Sequence, residues 1–191
     1  MSSLFFDMMD RLMPDLRAGD FDACEKAIVD KMESLPDSPF HIARHVSISN
    51  HSTDAAAHFD RFFERESARF TIAAAYTEMN GFDINPDRWY CDLFAYTSYG
   101  GHDDYDWISE WQSEYFDDYT ITGLEDLQAV YASGALQEDE FSDASYMSSL
   151  LVVVKFQQFM DQVTQSMRNL TFPLLTTAHD FDFIAESRRD A

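Results

Sequence analysis

Residues 140–169 read EFSDASYMSSLLVVVKFQQFMDQVTQSMRN. Apolar residues recur through this stretch at helical spacing. They are Tyr146, Leu150, Val153, Phe156, Phe159, Met160, Val163 and Met167. The middle of the stretch is apolar nearly all round, which is typical of a helix that is buried on every side. We therefore predict one long helix at the centre of the core.

Helical spacing also extends outward from this stretch, towards the N-terminus. Apolar stripes, capping residues and glycine or proline breaks predict further helices. Their approximate ranges are 4–17, 21–35, 53–80, 86–98, 104–115 and 122–133. The fold class that follows is all-α: a single-domain multi-helix bundle of about six to eight helices.

Two segments fall outside this helical pattern. Near 40–48, alternate residues are apolar, which predicts one short extended segment. Pro173 breaks the last helical pattern, so residues 174–191 are predicted to be a C-terminal tail. The predicted organisation is a helical domain at 1–173 followed by the tail at 174–191.

The chain is strongly acidic. It has 191 residues, with 35 acidic and 13 basic side chains, and its formal net charge is −22. This balance disfavours direct binding to nucleic acid or to anionic lipid, because both require positive groups that replace counterions. It favours a basic protein partner and fast encounter with that partner.

The acidic residues are concentrated in one interval. Between Arg88 and Lys155 there is no Lys or Arg, whereas the same interval holds 14 carboxylates threaded with Trp and Tyr. Aromatic rings bury area at a binding hot spot, and carboxylates pair with Arg or Lys. We predict that this charge stays uncompensated and forms a partner-binding surface. The predicted site residues are Asp103, Asp104, Tyr105, Asp106, Glu110, Glu114, Tyr115, Asp117, Asp118 and Tyr119.

The aromatic rings within this interval are expected to differ in their exposure to solvent. Trp107 and Trp111 are four residues apart, so they are expected on the buried side of a helix. Tyr105, Tyr115 and Tyr119 are expected to be exposed.

The centre of the chain resembles a known family. Residues 89–111 read WYCDLFAYTSYGGHDDYDWISEW. The pattern in this stretch is a Trp, an Ala-Tyr pair, a Gly-Gly, an Asp-Asp and a downstream Trp, which are here Trp89, Ala95-Tyr96, Gly100-Gly101, Asp103-Asp104 and Trp111. This pattern resembles a bacterial family of small acidic helical domains of unknown function, and the resemblance extends over residues 4–132. It implies a helical fold and no catalytic residue. Related domains are encoded near toxin-immunity genes, and this position indicates a role by analogy alone.

These observations favour a binding protein over an enzyme. The leading hypothesis is an immunity protein that neutralises a basic bacterial toxin or effector by binding and occluding it. One alternative is a DNA mimic that inhibits a DNA-binding protein. The chain has no nucleophile elbow and no phosphate-binding glycine loop, so neither catalytic residues nor a cofactor are predicted.

A metal-dependent enzyme is the other alternative. Its ligands would be His102, Asp103, Asp104 and Asp106, but an EF-hand pattern is absent. We therefore predict no metal site. The histidines at 41, 45, 51 and 58 lack a zinc motif and are expected to be partly exposed.

The remaining features concern location and redox state. Cys24 and Cys91 are too far apart for a C-x-x-C motif, which favours buried, reduced thiols and a cytoplasmic location. Residues 1–4 do not begin a signal peptide, and no apolar stretch is long enough for a bilayer, so no membrane contact is expected. The sequence leaves the oligomeric state open.

Overall fold

A computed structural model describes residues 3–102, 105–168 and 170–188. Within these ranges the α-helices are α1 (Ser3–Arg17), α2 (Phe21–Glu33), α3 (Ser52–Ser67), α4 (Glu125–Ala132) and α5 (Ser142–Ser166). The strands are β1 (Ala74–Asn80), β2 (Tyr90–Tyr96), β3 (Tyr119–Thr120), β4 (Leu174–Ala178) and β5 (Ala185–Ser187). Short 3-10 helices span Pro39–Arg44, Asp106–Ser109, Ala135–Gln137 and Asp139–Phe141.

The strands form one five-stranded mixed sheet in the order β3-β2-β1-β4-β5. β1 runs antiparallel to β2 and parallel to β4. The prediction of an all-α bundle is therefore wrong, and the chain has an α/β fold. The physical reason is that β1 lies at the centre of the sheet and is buried on both faces, so its residues lack the alternation that marks a strand.

The helices pack against one face of the sheet, which we call the inner face. Strand residues of this face, such as Met79, Leu93 and Leu174, join the main hydrophobic core. α5 crosses the middle of that core, with Leu150, Val153 and Phe156 fully buried. The long central helix predicted at 140–169 is therefore confirmed at Ser142–Ser166.

Two predicted helices are strands or turns instead. The predicted helix 53–80 ends at Ser67, and its last residues form β1. The predicted helix 86–98 is β2, whose burial alternates along the strand. Asn85-Pro86 lies in the turn between β1 and β2 and does not cap a helix. In both segments the tertiary pairing of strands overrides helical spacing.

Two other segments differ from their predicted form. The segment predicted to be extended near 40–48 contains the 3-10 helix Pro39–Arg44, which Ser38 caps through its side chain. Residues 174–191, predicted to be a tail, supply β4 and β5, and β4 is buried along its whole length. A parallel partner for β1 thus comes from the C-terminal end of the chain.

Both cysteines are buried, as the sequence predicts. Cys24 and Cys91 are buried free thiols, and burial raises the pKa of Cys24 to about 11 and of Cys91 to about 12. Among the residues described, none of the helices combines the length and the hydropathy that crossing a bilayer requires.

Candidate functional site

Residues 105–119, which we call the acidic segment, begin on the sheet face opposite the helices, the outer face, and end at the sheet edge beside α3. After the 3-10 helix Asp106–Ser109, the segment returns along the edge of β2. There the backbone N–H of Gln112 donates to the carbonyl of Ala95 at 3.0 Å, and the Ser113 hydroxyl accepts from the Ala95 N–H at 3.1 Å. The segment is thus held to the edge of β2 that β3 leaves uncovered, since β3 pairs only with Tyr90 and Cys91.

The aromatic rings of the segment have different environments. Trp107 is half-buried, and its ring centroid lies 4.9 Å from that of Tyr96 in an edge-to-face contact. Trp111 is 51% exposed and packs against Phe94 at 5.2 Å, whereas Tyr115 is 78% exposed. The predicted helix at 104–115 is wrong, because its backbone hydrogen bonds to β2 replace those of a helix.

The predicted site residues are only partly exposed. Asp106, Glu110, Glu114, Tyr115 and Asp117 are exposed as predicted. Tyr105 and Tyr119 are half-buried, which corrects the prediction for those two rings, and Asp118 is also half-buried. Asp103 and Asp104 lie outside the described residues. The exposed carboxylates therefore share one surface with the exposed rings of Trp111 and Tyr115.

Arginines from elsewhere in the chain offset part of the negative charge. An Arg69 side-chain nitrogen lies 2.9 Å from the Glu114 carboxylate, and Arg88 pairs with Asp118. Our prediction of an uncompensated charge is wrong for these two carboxylates, because long-range contacts supply the arginines. Within the described ranges, the side chains of Glu110 and Asp117 form no ion pair.

A buried carboxylate anchors the arginines that reach the acidic segment. Glu66 at the end of α3 is fully buried and pairs with both Arg65 and Arg69. Arg65 also donates to the carbonyls of Tyr115 at 3.1 Å and Glu114 at 2.9 Å. The backbone of the segment is therefore tied to α3 through a charged network that the sequence did not indicate.

Two adjoining grooves border the acidic segment. The first, with a volume of about 690 Å³, is lined by Tyr76, Glu78, Phe94, Tyr96, Tyr105, Asp106, Ile108, Ser109, Glu110, Trp111 and His179. The second, of about 510 Å³, is lined by Tyr90, Asp92, Leu93, Phe94, Trp111, Ser113, Glu114, Tyr115, Phe116 and Asp118. Phe94 and Trp111 line both, so their two rings, which are tilted by 58° to each other, form the ridge between the grooves.

Two carboxylates face each other across the strands beneath these grooves. Glu78 of β1 is paired in register with Asp92 of β2. Glu78 accepts a hydrogen bond from the Tyr76 hydroxyl at 2.9 Å, and Asp92 accepts one from the Asn80 amide at 2.8 Å. Burial, with the nearby carboxylates of Asp118 and Glu78, raises the pKa of Asp92 to about 6. Like charges directly opposite each other destabilise an antiparallel pair, so this arrangement weakens the sheet.

Replacing Asp92 with asparagine is expected to stabilise the protein near neutral pH. The folded pKa of about 6 lies above the unfolded value of 3.8, so the folded state binds more protons between these values. The free energy of unfolding therefore falls as pH rises through this range, and ionised Asp92 is destabilising above it. Because Asp92 is only half-buried, we expect Asp92→Asn to add about 1 kcal/mol at about pH 7.5 in urea denaturation.

The control for this prediction is Asp37→Asn, which alters an exposed aspartate in a loop. It should change the free energy of unfolding by less than about 0.5 kcal/mol at any pH. Asp92→Asn should also flatten the pH dependence between about pH 4 and pH 6. An unchanged slope in that range would mean that Asp92 is not the group that titrates there.

The histidines lie in separate environments. His41 is buried, which corrects the prediction of exposure, and its ring nitrogens lie near the carbonyl oxygens of Ser38 and Met32. His58 is half-buried, its ring packs on Phe116, and burial lowers its pKa. His45 and His51 are exposed.

Only two of the four hypothesised metal ligands are described. His102 has both ring nitrogens engaged, with Glu186 at 2.8 Å and the Tyr105 hydroxyl at 3.1 Å, and Asp106 is exposed. In the described part of the chain, there is no group of three or more His, Cys, Asp or Glu side chains that could hold a metal ion. Asp103 and Asp104 lie outside that part.

Several important residues of the site were missed by sequence reasoning. Glu78, Asp92 and His179 come together only through the register of β1, β2 and β4. The alternation of residues 90–96 was a usable signal for β2, but no pattern indicates that Arg65 and Arg69 reach the acidic segment.

Comparisons with protein-family models, with curated proteins and with solved structures found no match for this chain. The resemblance of residues 4–132 to a bacterial family thus stays a prediction.

Proposed function

We propose that the chain is an acidic binding protein whose outer sheet face docks onto a basic protein partner. The observation that carries this proposal is the exposure of Trp111 and Tyr115 beside the grooves, among Glu110, Glu114 and Asp117. Exposed large rings inside a charged rim are typical of an interface hot spot, because the rings bury area while the rim selects charge. We further propose that the partner is a bacterial toxin or effector and that this chain acts as its immunity protein.

The local charge supports a cationic partner. Arg69 and Arg88 offset Glu114 and Asp118, but within the described ranges the carboxylates of Glu110 and Asp117 form no ion pair. A basic protein would be steered towards this face at low salt, and its association rate would fall as salt is added. The DNA-mimic alternative is less well supported, because a phosphate mimic gains nothing from exposed rings.

Trp111→Ala and Tyr115→Ala are each expected to weaken partner binding about 30-fold, which is about 2 kcal/mol. Each substitution removes an exposed ring that would be desolvated in the complex. The measurement is calorimetry with the basic product of the neighbouring gene, after co-expression has established that this chain relieves the toxicity of that product. The matched controls are Phe6→Ala and Ile84→Ala, which alter side chains of similar exposure elsewhere.

The controls should change affinity by less than about twofold. Glu110→Lys with Asp117→Lys should lower the association rate more than either ring variant does. If the ring variants bind as tightly as the controls, or if the charge reversal leaves the rate unchanged, the outer face is not the docking surface.

A further inference from the structure

The first groove, which we call the sheet groove, combines aromatic walls with negative charge. Its lining includes the rings of Tyr76, Phe94, Tyr96, Tyr105 and Trp111. Three carboxylates, those of Glu78, Asp106 and Glu110, line the same space. The basic groups nearby are His179, which also lines the groove, and Arg17, which hydrogen-bonds to Tyr105. Its volume of about 690 Å³ is within the range of ligand pockets. Aromatic rings and carboxylates that line one groove form an environment that attracts an organic cation.

Glu78 is the carboxylate whose position is best defined. Its Oε2 accepts a hydrogen bond from the Tyr76 hydroxyl at 2.9 Å, and its Oε1 lies 3.3 Å from His179 Nδ1. Its side chain is only 18% exposed, and Asp92 faces it across the strands. A carboxylate that is held in place pays little entropy when it binds a cation, because its rotamer is already restricted. The repulsion between Glu78 and Asp92 would be relieved by a positive group bound beside them.

We propose that the sheet groove binds the guanidinium group of an arginine that the basic partner presents, an inference that rests on the docking function proposed above. A guanidinium is planar and weakly hydrated, so it stacks on rings such as those of Phe94 and Trp111. It also donates a fork of two hydrogen bonds that matches a carboxylate such as Glu78.

Other cations fit this groove less well. A lysine ammonium is more strongly hydrated, and most of the walls are rings that cannot replace its water. A quaternary ammonium has no N–H groups and could not donate a hydrogen bond to Glu78 or Glu110. The groove is also larger than one guanidinium, which leaves space for the residues that flank the partner's arginine.

The experiment uses three probes of nearly the same length: N-acetylargininamide, N-acetyllysinamide and N-acetylcitrullinamide. Citrulline keeps the shape of arginine without its charge. Binding is followed at pH 8, where imidazoles of ordinary pKa are neutral, through the indole N–H resonances of the three tryptophans. We expect the arginine probe to bind in the millimolar range, about fivefold tighter than the lysine probe, and to shift the Trp111 resonance most. The citrulline probe should not bind.

Two substitutions and one control locate the binding. Glu78→Gln and Trp111→Ala should each weaken the arginine probe about fivefold or more, whereas Ile84→Ala on another surface should not change it. These variants are compared through backbone amide resonances, because Trp111→Ala lacks the Trp111 indole. Equal affinity for the arginine and lysine probes would overturn the proposal, as would binding of citrulline or binding that survives both substitutions. Absence of any resonance shift with the arginine probe would also overturn it.

The same variants separate this inference from the docking function. Tyr115 lines the second groove and not the sheet groove, so Tyr115→Ala tests docking alone. If Tyr115→Ala weakens partner binding but Glu78→Gln does not, docking stands and the guanidinium site is refuted. If the arginine probe binds as expected and Tyr115→Ala has no effect on the partner, the groove is a site for free guanidinium compounds and the docking function is refuted.

Discussion

Replacing Glu66 with alanine is expected to lower the free energy of unfolding by about 3 kcal/mol. The Glu66 side chain is fully buried near the end of α3, and its carboxylate pairs with two arginines. Removing it leaves the guanidinium group of Arg65 without its carboxylate partner and Arg69 with the exposed Glu114 carboxylate alone. Both arginine side chains are about one-third exposed, so water can solvate their charges in the variant. The expected loss of stability is therefore at the lower end of the range for a broken buried ion pair.

The same substitution should loosen the acidic segment. Arg65 donates to the backbone carbonyls of Glu114 and Tyr115, and its guanidinium carbon lies 4.8 Å from the centroid of the Phe116 ring. Glu66 orients Arg65 through a hydrogen bond of 2.7 Å to its Nε. Without this carboxylate, Arg65 is free to adopt other rotamers, and the segment loses its link to α3.

Two measurements check this prediction. Urea denaturation gives the stability change, and limited digestion with a protease that cleaves after glutamate reports opening at Glu110 and Glu114. Trypsin is uninformative there because no Lys or Arg lies between 88 and 155. The matched control is Glu64→Ala on the same helix, which alters an exposed glutamate and should cost less than about 0.5 kcal/mol.

Glu66→Gln keeps the size of the side chain and removes its charge, so its effect should lie between those of alanine and the control. A Glu66→Ala variant that is as stable as Glu64→Ala, with unchanged digestion at Glu110 and Glu114, would contradict this account of the network. Faster digestion without a loss of global stability would mean that the network holds the segment but adds little to the fold.

The helices were predictable where local signals and tertiary packing agree. α1, α2 and α5 follow apolar stripes that match their buried faces. Asp20 caps α2, with its side chain accepting from the Ala23 N–H at 3.0 Å. Such signals lie within a few residues of each other, so a single sequence contains all the information that they need.

The strands were not predictable in the same way. β1 contains Ala, Met and Glu, which are good helix formers, and it lies between two other strands with both faces buried. A short apolar run of this kind is consistent with a buried helix or with a buried strand. Its parallel partner β4 lies about a hundred residues away in the sequence, and no local pattern encodes that pairing.

The site was predictable in composition but not in geometry. The sequence correctly indicates that carboxylates and rings share residues 105–119, and that Tyr115 is exposed. It gives the wrong role to Trp111, because the helix that would have buried this ring does not form. The pair Glu78 and Asp92 required the strand register, and the arginine links required the packing of α3 on the sheet edge.

The two carboxylates that face each other beneath the grooves lower the stability of the fold and favour binding of a cation. Glu78 and Asp92 are both half-buried, and the raised pKa of Asp92 reflects the cost of keeping it ionised. Substitutions that relieve such strain commonly stabilise a protein and weaken its function. Glu78→Gln should therefore weaken arginine binding without lowering the free energy of unfolding. The negative charge that it removes both binds the guanidinium and repels Asp92.

Replacing Gly123 with alanine is expected to lower the free energy of unfolding by about 3 kcal/mol or more, through two separate causes. The φ angle of Gly123 is +92°, a conformation that residues with a Cβ rarely adopt. An added Cβ would also lie 2.2 Å from the carbonyl oxygen of Ser47 and 2.8 Å from the backbone nitrogen of Ser49. Because both atoms belong to the backbone, neither can move away as a flexible side chain would.

Gly134→Ala separates these two causes. Gly134 has a similar φ of +86°, but no atom lies within 4 Å of its added Cβ, so it should lose only about 1 kcal/mol from backbone strain. The additional loss at Gly123 would measure the close approach of residues 47–50 to residues 119–123, where Ser49 N–H donates to the Thr122 carbonyl at 2.9 Å. That contact fixes the end of the acidic segment, so Gly123→Ala should also weaken partner binding while Gly134→Ala should not. Equal stability losses in urea denaturation would refute the steric account and leave backbone conformation as the whole effect.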